Sequence, residues 1–169
     1  MRIKVAVMGY KTLADLFKNM TLPPDLVGKI SLQVYDVLFE KALEIATRLE
    51  QEEAVDVFVS GSANASFIKP HLQTPVVSIN VSAFDLMSAI KTASSYGGTA
   101  AVVSFREPIE GLSEVLDVLK PEVIPVIYDT YQDLWDKIRS LKEKNCRAVV
   151  GASLVCETAR YHGLESVLV

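Results

Sequence analysis

Short apolar runs alternate with longer amphipathic stretches along the whole chain. The runs 3–8 (IKVAVM), 30–35 (ISLQVY), 55–60 (VDVFVS) and 75–79 (PVVSI) are brief, rich in Val and Ile, and closed by Gly, Asp or Asn. That is the pattern of strands buried on both faces, as in parallel sheets. Between them the spacing predicts helices over roughly 12–19 and 37–53, and a short one ending near Lys69. In the second of these, Leu38, Ala42, Ile45 and Leu49 fall on one face, and Glu40, Lys41, Glu44 and Arg48 on the rest. Thr12 and Asp15 have the spacing of a capping box.

The alternation then restarts. Residues 82–95 read as a helix with Leu86, Ile90 and Ala93 inward, ended by Gly97-Gly98. A strand over 99–105 (TAAVVSF) precedes a helix starting at Pro108, where the missing N–H costs nothing. That helix is expected to bury Ile109, Leu112, Leu116 and Leu119. A strand at 123–128 leads to a helix at 130–144 with Tyr131, Leu134, Ile138 and Leu141 inward. A strand at 147–150, closed by Gly151, a helix at 153–161 and a strand at 166–169 complete the chain.

The halves resemble each other. VDVFVSGSANASFIKPHLQTPVVSI lies beside CRAVVGASLVCETARYHGLESVLV. Each is an apolar strand, a small-residue turn, a short helix with His at its end, and a terminal strand. Strict strand–helix alternation implies parallel sheets with right-handed crossovers. The expected fold is therefore α/β: two similar α/β/α subdomains, 1–80 and 81–169, each with a four-stranded parallel sheet, and a ligand cleft between them. The stretch 75–90 (PVVSINVSAFDLMSAI) runs from the last strand of one half into the first helix of the other, with a hinge at Asn80–Ser82.

Composition narrows the function. The chain has 169 residues, 50% hydrophobic and 22% charged, with 17 Lys and Arg against 21 Asp and Glu and a net charge of −4. Lys and Arg are nowhere clustered, so direct nucleic-acid binding is not expected. The apolar stretch after the first residues is too short for a signal peptide core, and no run approaches a membrane span. A cytoplasmic protein with Cys146 and Cys156 as free thiols is expected. No cofactor or metal spacing is present, and a homodimer is compatible with the sequence.

In open α/β sheets, ligands sit beyond the C-terminal ends of strands, near helix N-termini. That rule selects Ser60, Gly61, Ser62 and Asn64 in the first half, and Ser104, Arg106, Tyr128, Gly151, Ser153 and Cys156 in the second. The same rule also selects Gly9, Tyr10, Lys11, Tyr35 and Phe105. The Gly61–Asn64 turn is either a capped strand-to-helix connection or an anion-binding turn, and it matches no nucleotide motif. Arg106 is either a solvated surface arginine or a bidentate grip for a carboxylate. Ser82 and Asp85 fit a helix cap better than a catalytic pair. Cys156 reads as a small buried hydrophobe, or as a reactive thiol if it lies in the first helical turn, where the dipole lowers its pKa. His71 and His162, at helix C-termini, read as structural, and Trp135 as core. An enzyme here would have to rely on Asp36 or Asp129, just past strand tips.

The joint Val81-Ser82-Ala83-Phe84-Asp85-Leu86 and the helix start at Gly151, Ser153, Cys156 and Ala159 carry a family likeness, supported by Gly163-Leu164 and Val167-Leu168. The chain resembles the N-terminal sensor domain of PrpR-like propionate catabolism activators, which are sigma-54-dependent transcriptional regulators. The resemblance implies a chelatase-like tandem repeat, a non-catalytic role and a small-molecule metabolite as partner. In the propionate activators that effector is 2-methylcitrate. The resemblance further implies an attached ATPase and a DNA-binding module, neither of which is in this sequence. Relatives often read S-R-G-G-T after the third strand, where this chain has Ser60-Gly61-Ser62-Ala63-Asn64. The missing arginine points toward an organic acid less charged than a tricarboxylate. The alternative class is a small isomerase or lyase acting on a carboxylic acid.

Overall fold

In the computed structural model the described residues are 2–119 and 122–169. The chain divides into two compact units, Met1–Asn80 and Val81–Val169. The first contains β1 (Ile3–Gly9), α1 (Thr12–Asn19), β2 (Ile30–Asp36), α2 (Phe39–Gln51), β3 (Val57–Gly61), α3 (Ser62–Ile68), a 3-10 turn (Lys69–His71) and β4 (Val76–Ile79). The strands are parallel in the order β2-β1-β3-β4.

One face of this sheet carries Ala6, Met8 and Phe58, which pack with Ala42, Ala46 and Leu49 of α2 and with Ile68 of α3. Successive strand residues alternate faces. The opposite face therefore carries the registered row Val7, Val59 and Val77. Helix α1 packs beside β1 and β2 on that sheet. Exposure rises along the row away from it: Val7 is fully buried, Val59 half-buried, and Val77 52% exposed.

The second unit contains α4 (Ala83–Ser94), β5 (Thr99–Phe105), α5 (Leu112–Leu119), β6 (Val123–Tyr128), α6 (Tyr131–Glu143), β7 (Cys146–Gly151), α7 (Ser153–Tyr161) and β8 (Glu165–Leu168). Its parallel order, β6-β5-β7-β8, repeats that of the first sheet. Leu86, Ala89, Ile90 and Ala93 of α4 and Leu112 and Val115 of α5 cover Ala100, Val102, Ala148 and Val150. Helices α6 and α7 pack together and against β6, β7 and β8. The row Val102, Val150 and Val167 corresponds by register to Val7, Val59 and Val77. Here it joins the core beneath α4. The α/β class and the two four-stranded parallel sheets read from the sequence are therefore the observed architecture.

Local expectations fare unevenly. Thr12 and Asp15 do not form a capping box: the helix N-cap is Lys11, with φ 44 and ψ −104 and no side-chain cap bond. The Lys11 N–H instead donates to Asp36 Oδ1 at 2.7 Å, which turns the chain one residue earlier than a Thr cap requires. The helix expected from Pro108 begins at Leu112, because the chain first makes a tight turn at Arg106 and a second at Gly111 (φ 78). Leu112 and Val115 form its buried face with Leu116 half-buried, while the Leu119 side chain lies outside the described residues. In α2 the buried face is Phe39, Ala42, Ala46 and Leu49, rotated from the expected one, and Ile45 is only half-buried. Tyr131 is 54% exposed rather than inward. Trp135 is half-buried in a ring cluster with Tyr131, Tyr161 and His162, centroids 4.6–6.1 Å from its own.

Candidate functional site: the strand-end turns

Each parallel sheet ends at a rim where strands hand over to helices. In the first unit β1 closes at Gly9, whose added Cβ would lie 2.8 Å from Ala14 N, so only glycine lets α1 come this close. Tyr10 and Lys11 follow. The Lys11 ammonium lies 5.4 Å from the Tyr10 ring centroid, within cation–π range. The neighbouring turn is tied from below. Val37 N–H donates to Gly9 O at 2.7 Å, and Phe39, at φ 45, donates its N–H to Asn64 Oδ1 at 2.8 Å.

Asn64 and Ser60, both selected from the sequence, are occupied inside this unit. Asn64 is 4% exposed and donates from Nδ2 to Met8 O (3.1 Å) and Val37 O (3.4 Å). Ser60 is fully buried, and its hydroxyl donates to Met8 O at 2.5 Å. Gly61, half-buried, is the backbone N-cap of α3, and Ser62, exposed, is its first residue. The Gly61–Asn64 turn is thus a strand-to-helix connection pinned to β1.

The second rim repeats the first. Val7 is registered with Val59 and Val102 with Val150, and counting onward from these equivalent valines sets Tyr10-Lys11 beside Phe105-Arg106 in sequence. Arg106 has φ 60, and the Glu107 N–H donates to Phe105 O at 2.7 Å across it. That is a γ-turn of the uncommon, left-handed kind. Arg106 N–H donates to Tyr128 O at 2.8 Å, which holds the turn against β6. The guanidinium stands 4.8 Å from the Phe105 ring centroid, and Phe105 in turn lies 5.3 Å from the Tyr128 ring. Tyr128 is 2% exposed, and burial pushes its phenol well above the usual range, so it serves as a neutral support behind Phe105.

Gly151 is buried. A Cβ there would meet Val155 Cγ1 at 2.6 Å and Val103 O at 3.1 Å. Ser104 and Ser153 are half-buried at the rim. Cys156 sits one turn into α7, 2% exposed, with Sγ 3.3 Å from Gly151 O. Burial raises its thiol pKa and outweighs the lowering from Ser166 and Arg160. The reactive-thiol reading is therefore corrected: Cys156 is a packed, protonated side chain. Asp36 accepts the Lys11 N–H, and the Asp129 N–H donates to Asp133 Oδ2 at 3.0 Å. His71 and His162 stand at the C-terminal ends of the 3-10 turn and of α7.

At the boundary of the units Asn80 is exposed, and Ser78 Oγ donates to its Oδ1 at 2.7 Å. Ser82 is the N-cap of α4. Its Oγ accepts from Asp85 N, and Asp85 Oδ2 accepts from Ser82 N at 3.2 Å. The bonds to Ser82 hold the Asp85 carboxyl below the usual range.

The sequence reading selected both Lys11 and Arg106 among the strand-end residues but did not pair them. The missed signal is an aromatic–cation dipeptide, Tyr-Lys and Phe-Arg, repeated after the first strand of each half. Among the described residues no group of His, Cys, Asp and Glu could hold a metal ion. Among them, too, no helix is long and apolar enough to cross a membrane.

Two parallel α/β units with repeated strand-end turns define the class: a tandem α/β protein. The chain belongs to the propionate catabolism activator family, whose N-terminal domain matches residues 28–169. Among solved structures it is similar to an NtrC family transcriptional regulator from Clostridium acetobutylicum. The identity is 24%, the match covers 99% of this chain and 87% of that one, and the TM-score is 0.82. A carbohydrate transporter from Acidothermus cellulolyticus 11B, solved with myo-inositol, matches at 13% identity and a TM-score of 0.48, over 99% of this chain and 73% of that one.

Proposed function

We propose that this chain is the effector-sensing domain of a cytoplasmic, sigma-54-dependent transcriptional activator. It binds a small organic acid, and the signal is closure about the Asn80–Ser82 joint. The observation that carries this reading is the family match over residues 28–169. The likeness to a transcriptional regulator of the NtrC family supports the regulatory role. A ligand biases such a protein only through different affinities for its two states.

The chemistry of the rims speaks for binding over catalysis. Cys156 is buried and protonated, and Asp36 and the Asp129 backbone are engaged in holding turns. What the rims present instead is cations on aromatic supports, suited to a carboxylate. Of the residues selected from the sequence, Gly61, Ser62, Ser104, Arg106 and Ser153 are the candidates for direct contact.

The test is a thermal-shift screen over mono-, di- and tricarboxylic acids. A true effector at 100 times its Kd adds about 2.7 kcal/mol to stability. A melting midpoint that no acid in the panel moves would overturn the sensor reading.

A further inference from the structure

A parallel sheet has two edge strands, and an open edge invites another strand to pair with it. Two of the edges, β4 and β8, are only four residues long. The other two, β2 and β6, are longer and equivalent in the repeat, yet they are finished differently.

Ala100 N–H donates to Glu122 O and Arg106 N–H to Tyr128 O, so on β6 it is Val123, Pro125 and Ile127 that turn their backbone groups away from β5. This edge is blunted. Pro125 has no N–H to offer, and Ile127 O accepts from Lys137 Nζ at 2.6 Å. Ile3 N–H donates to Lys29 O and Val37 N–H to Gly9 O, so on β2 it is Ile30, Leu32, Val34 and Asp36 that turn outward. Val34 holds the place of Pro125, each being registered with its equivalent valine, Val7 or Val102. The Ile30 N–H already donates to Leu26 O at 3.3 Å. Leu32 and Val34 have no partner for N–H or C=O among the described residues.

We infer that β2 is a dimer seam: a second copy of this chain lays its own β2 antiparallel along this edge, centred on Leu32. Self-complementarity selects the second copy as the occupant. In this register Leu32 lies opposite the partner's Leu32, and Ile30 opposite the partner's Val34, apolar against apolar. On the other face the exposed Ser31 lies opposite the partner's exposed Gln33. Leu32 exchanges both backbone bonds with its counterpart, and the Val34 N–H donates to the partner's Ile30 O. Charge agrees. The strand begins beside a cation, since Arg2 Nε donates to Gly28 O at 3.1 Å. It ends at an exposed carboxylate, Asp36, whose Oδ1 takes the Lys11 N–H. Gly28 lies opposite the partner's Asp36, so opposite charges meet at both ends of the seam. Centring on Gln33 instead would set Ile30 against a carboxylate. Helix α1, which packs beside β2, leaves Leu16 63% exposed, and the turn into β2 leaves Val27 63% exposed, apolar surface that a partner at this edge can cover.

The test is the solution mass of the 169-residue chain by sedimentation equilibrium over a range of concentrations. Val34→Pro copies onto β2 what β6 already carries, removing an outward N–H while sparing the bonds to β1. Arg2→Glu reverses the charge at the strand entrance through an exposed side chain. Leu32→Cys places a thiol opposite its own counterpart, where paired Cα atoms lie about 5.5 Å apart, within disulfide reach. The native Cys146 and Cys156 are buried and do not compete. Circular dichroism checks that each variant is folded.

The expected result is a parent at twice the 18.6 kDa of one chain and Val34→Pro at the single-chain mass. Arg2→Glu dimerises about tenfold more weakly, and Leu32→Cys cross-links under mild oxidation. A parent at the single-chain mass throughout overturns the inference and leaves β2 to a strand of another protein. A folded Val34→Pro that stays dimeric, or an Arg2→Glu that dimerises like the parent, overturns it as well. If Val34→Pro does not fold, Arg2→Glu and the Leu32→Cys cross-link decide. None of these outcomes touches effector binding, so the sensor reading stands or falls separately.

Discussion

Asn64 serves three backbone groups from two other segments at once. It accepts from Phe39 N and donates to Met8 O and Val37 O, at 4% exposure. Removing such a hub leaves buried groups unpaired, which costs about 1–3 kcal/mol. Asn64→Ala should lower urea-unfolding stability by that amount. Asn64→Asp should do worse at neutral pH, because its carboxylate would face two carbonyl oxygens. Its deficit relative to Asn64→Ala should shrink as pH falls and the carboxyl protonates. Equal losses for the two variants at neutral pH would contradict this role. None of it is legible locally: Gly-Ser-Ala-Asn reads as a cap or an anion turn, and the deciding partner, Met8, lies 56 residues away. The same limit applies to Ser60, whose hydroxyl bonds Met8 O from across the sheet.

Three helix starts carry the spacing of a capping box, at Thr12, Ser82 and Thr130, and only Ser82 forms the full reciprocal pair, since the Asp133 carboxylate takes the Asp129 N–H instead. At α4, Ser82 and Asp85 bond reciprocally. At α1, Asp36 takes the Lys11 N–H and the chain turns before Thr12 can act. Ser82→Ala should cost about 1 kcal/mol, the usual worth of an N-cap side chain. The acid limb tests the pairing. Asp85 has a depressed folded pKa, so its contribution is present above the ordinary carboxylate pKa and is lost as pH falls through the folded value. Ser82→Ala should flatten that limb. The chain's one tryptophan, Trp135, reports on the second unit by fluorescence. An acid limb unchanged in Ser82→Ala would show that Asp85 is held by something else. At this scale the sequence located every strand and helix to within a few residues, because glycine and proline punctuate it. It failed where competition between two acceptors, or a γ-turn such as that at Arg106, decides the boundary.

Across the whole molecule the two sheets share strand order and register but not their cover. The row Val102, Val150 and Val167 lies beneath α4, while its counterpart Val7, Val59 and Val77 is covered at one end only. Local opening follows such differences in apolar burial. Hydrogen exchange should therefore release the amides of β4 (Val76–Ile79) before those of β8 (Glu165–Leu168), although both are edge strands of four residues. Matched exchange in the two strands would count against the uneven cover. The tandem design was legible because the glycine-closed strands recur in order. The uneven cover was not: a linear pattern does not say which strands the helix that opens the second half roofs.

The left-handed turns at Lys11 and Arg106 are a standing cost to stability. A left-handed non-glycine residue gives up about 1–2 kcal/mol, a penalty that glycine escapes. Lys11→Gly and Arg106→Gly should each raise the melting midpoint, and a lower midpoint in both would show that these turns carry no such penalty. Laboratory selection for heat resistance alone would then drift toward glycine at these two positions.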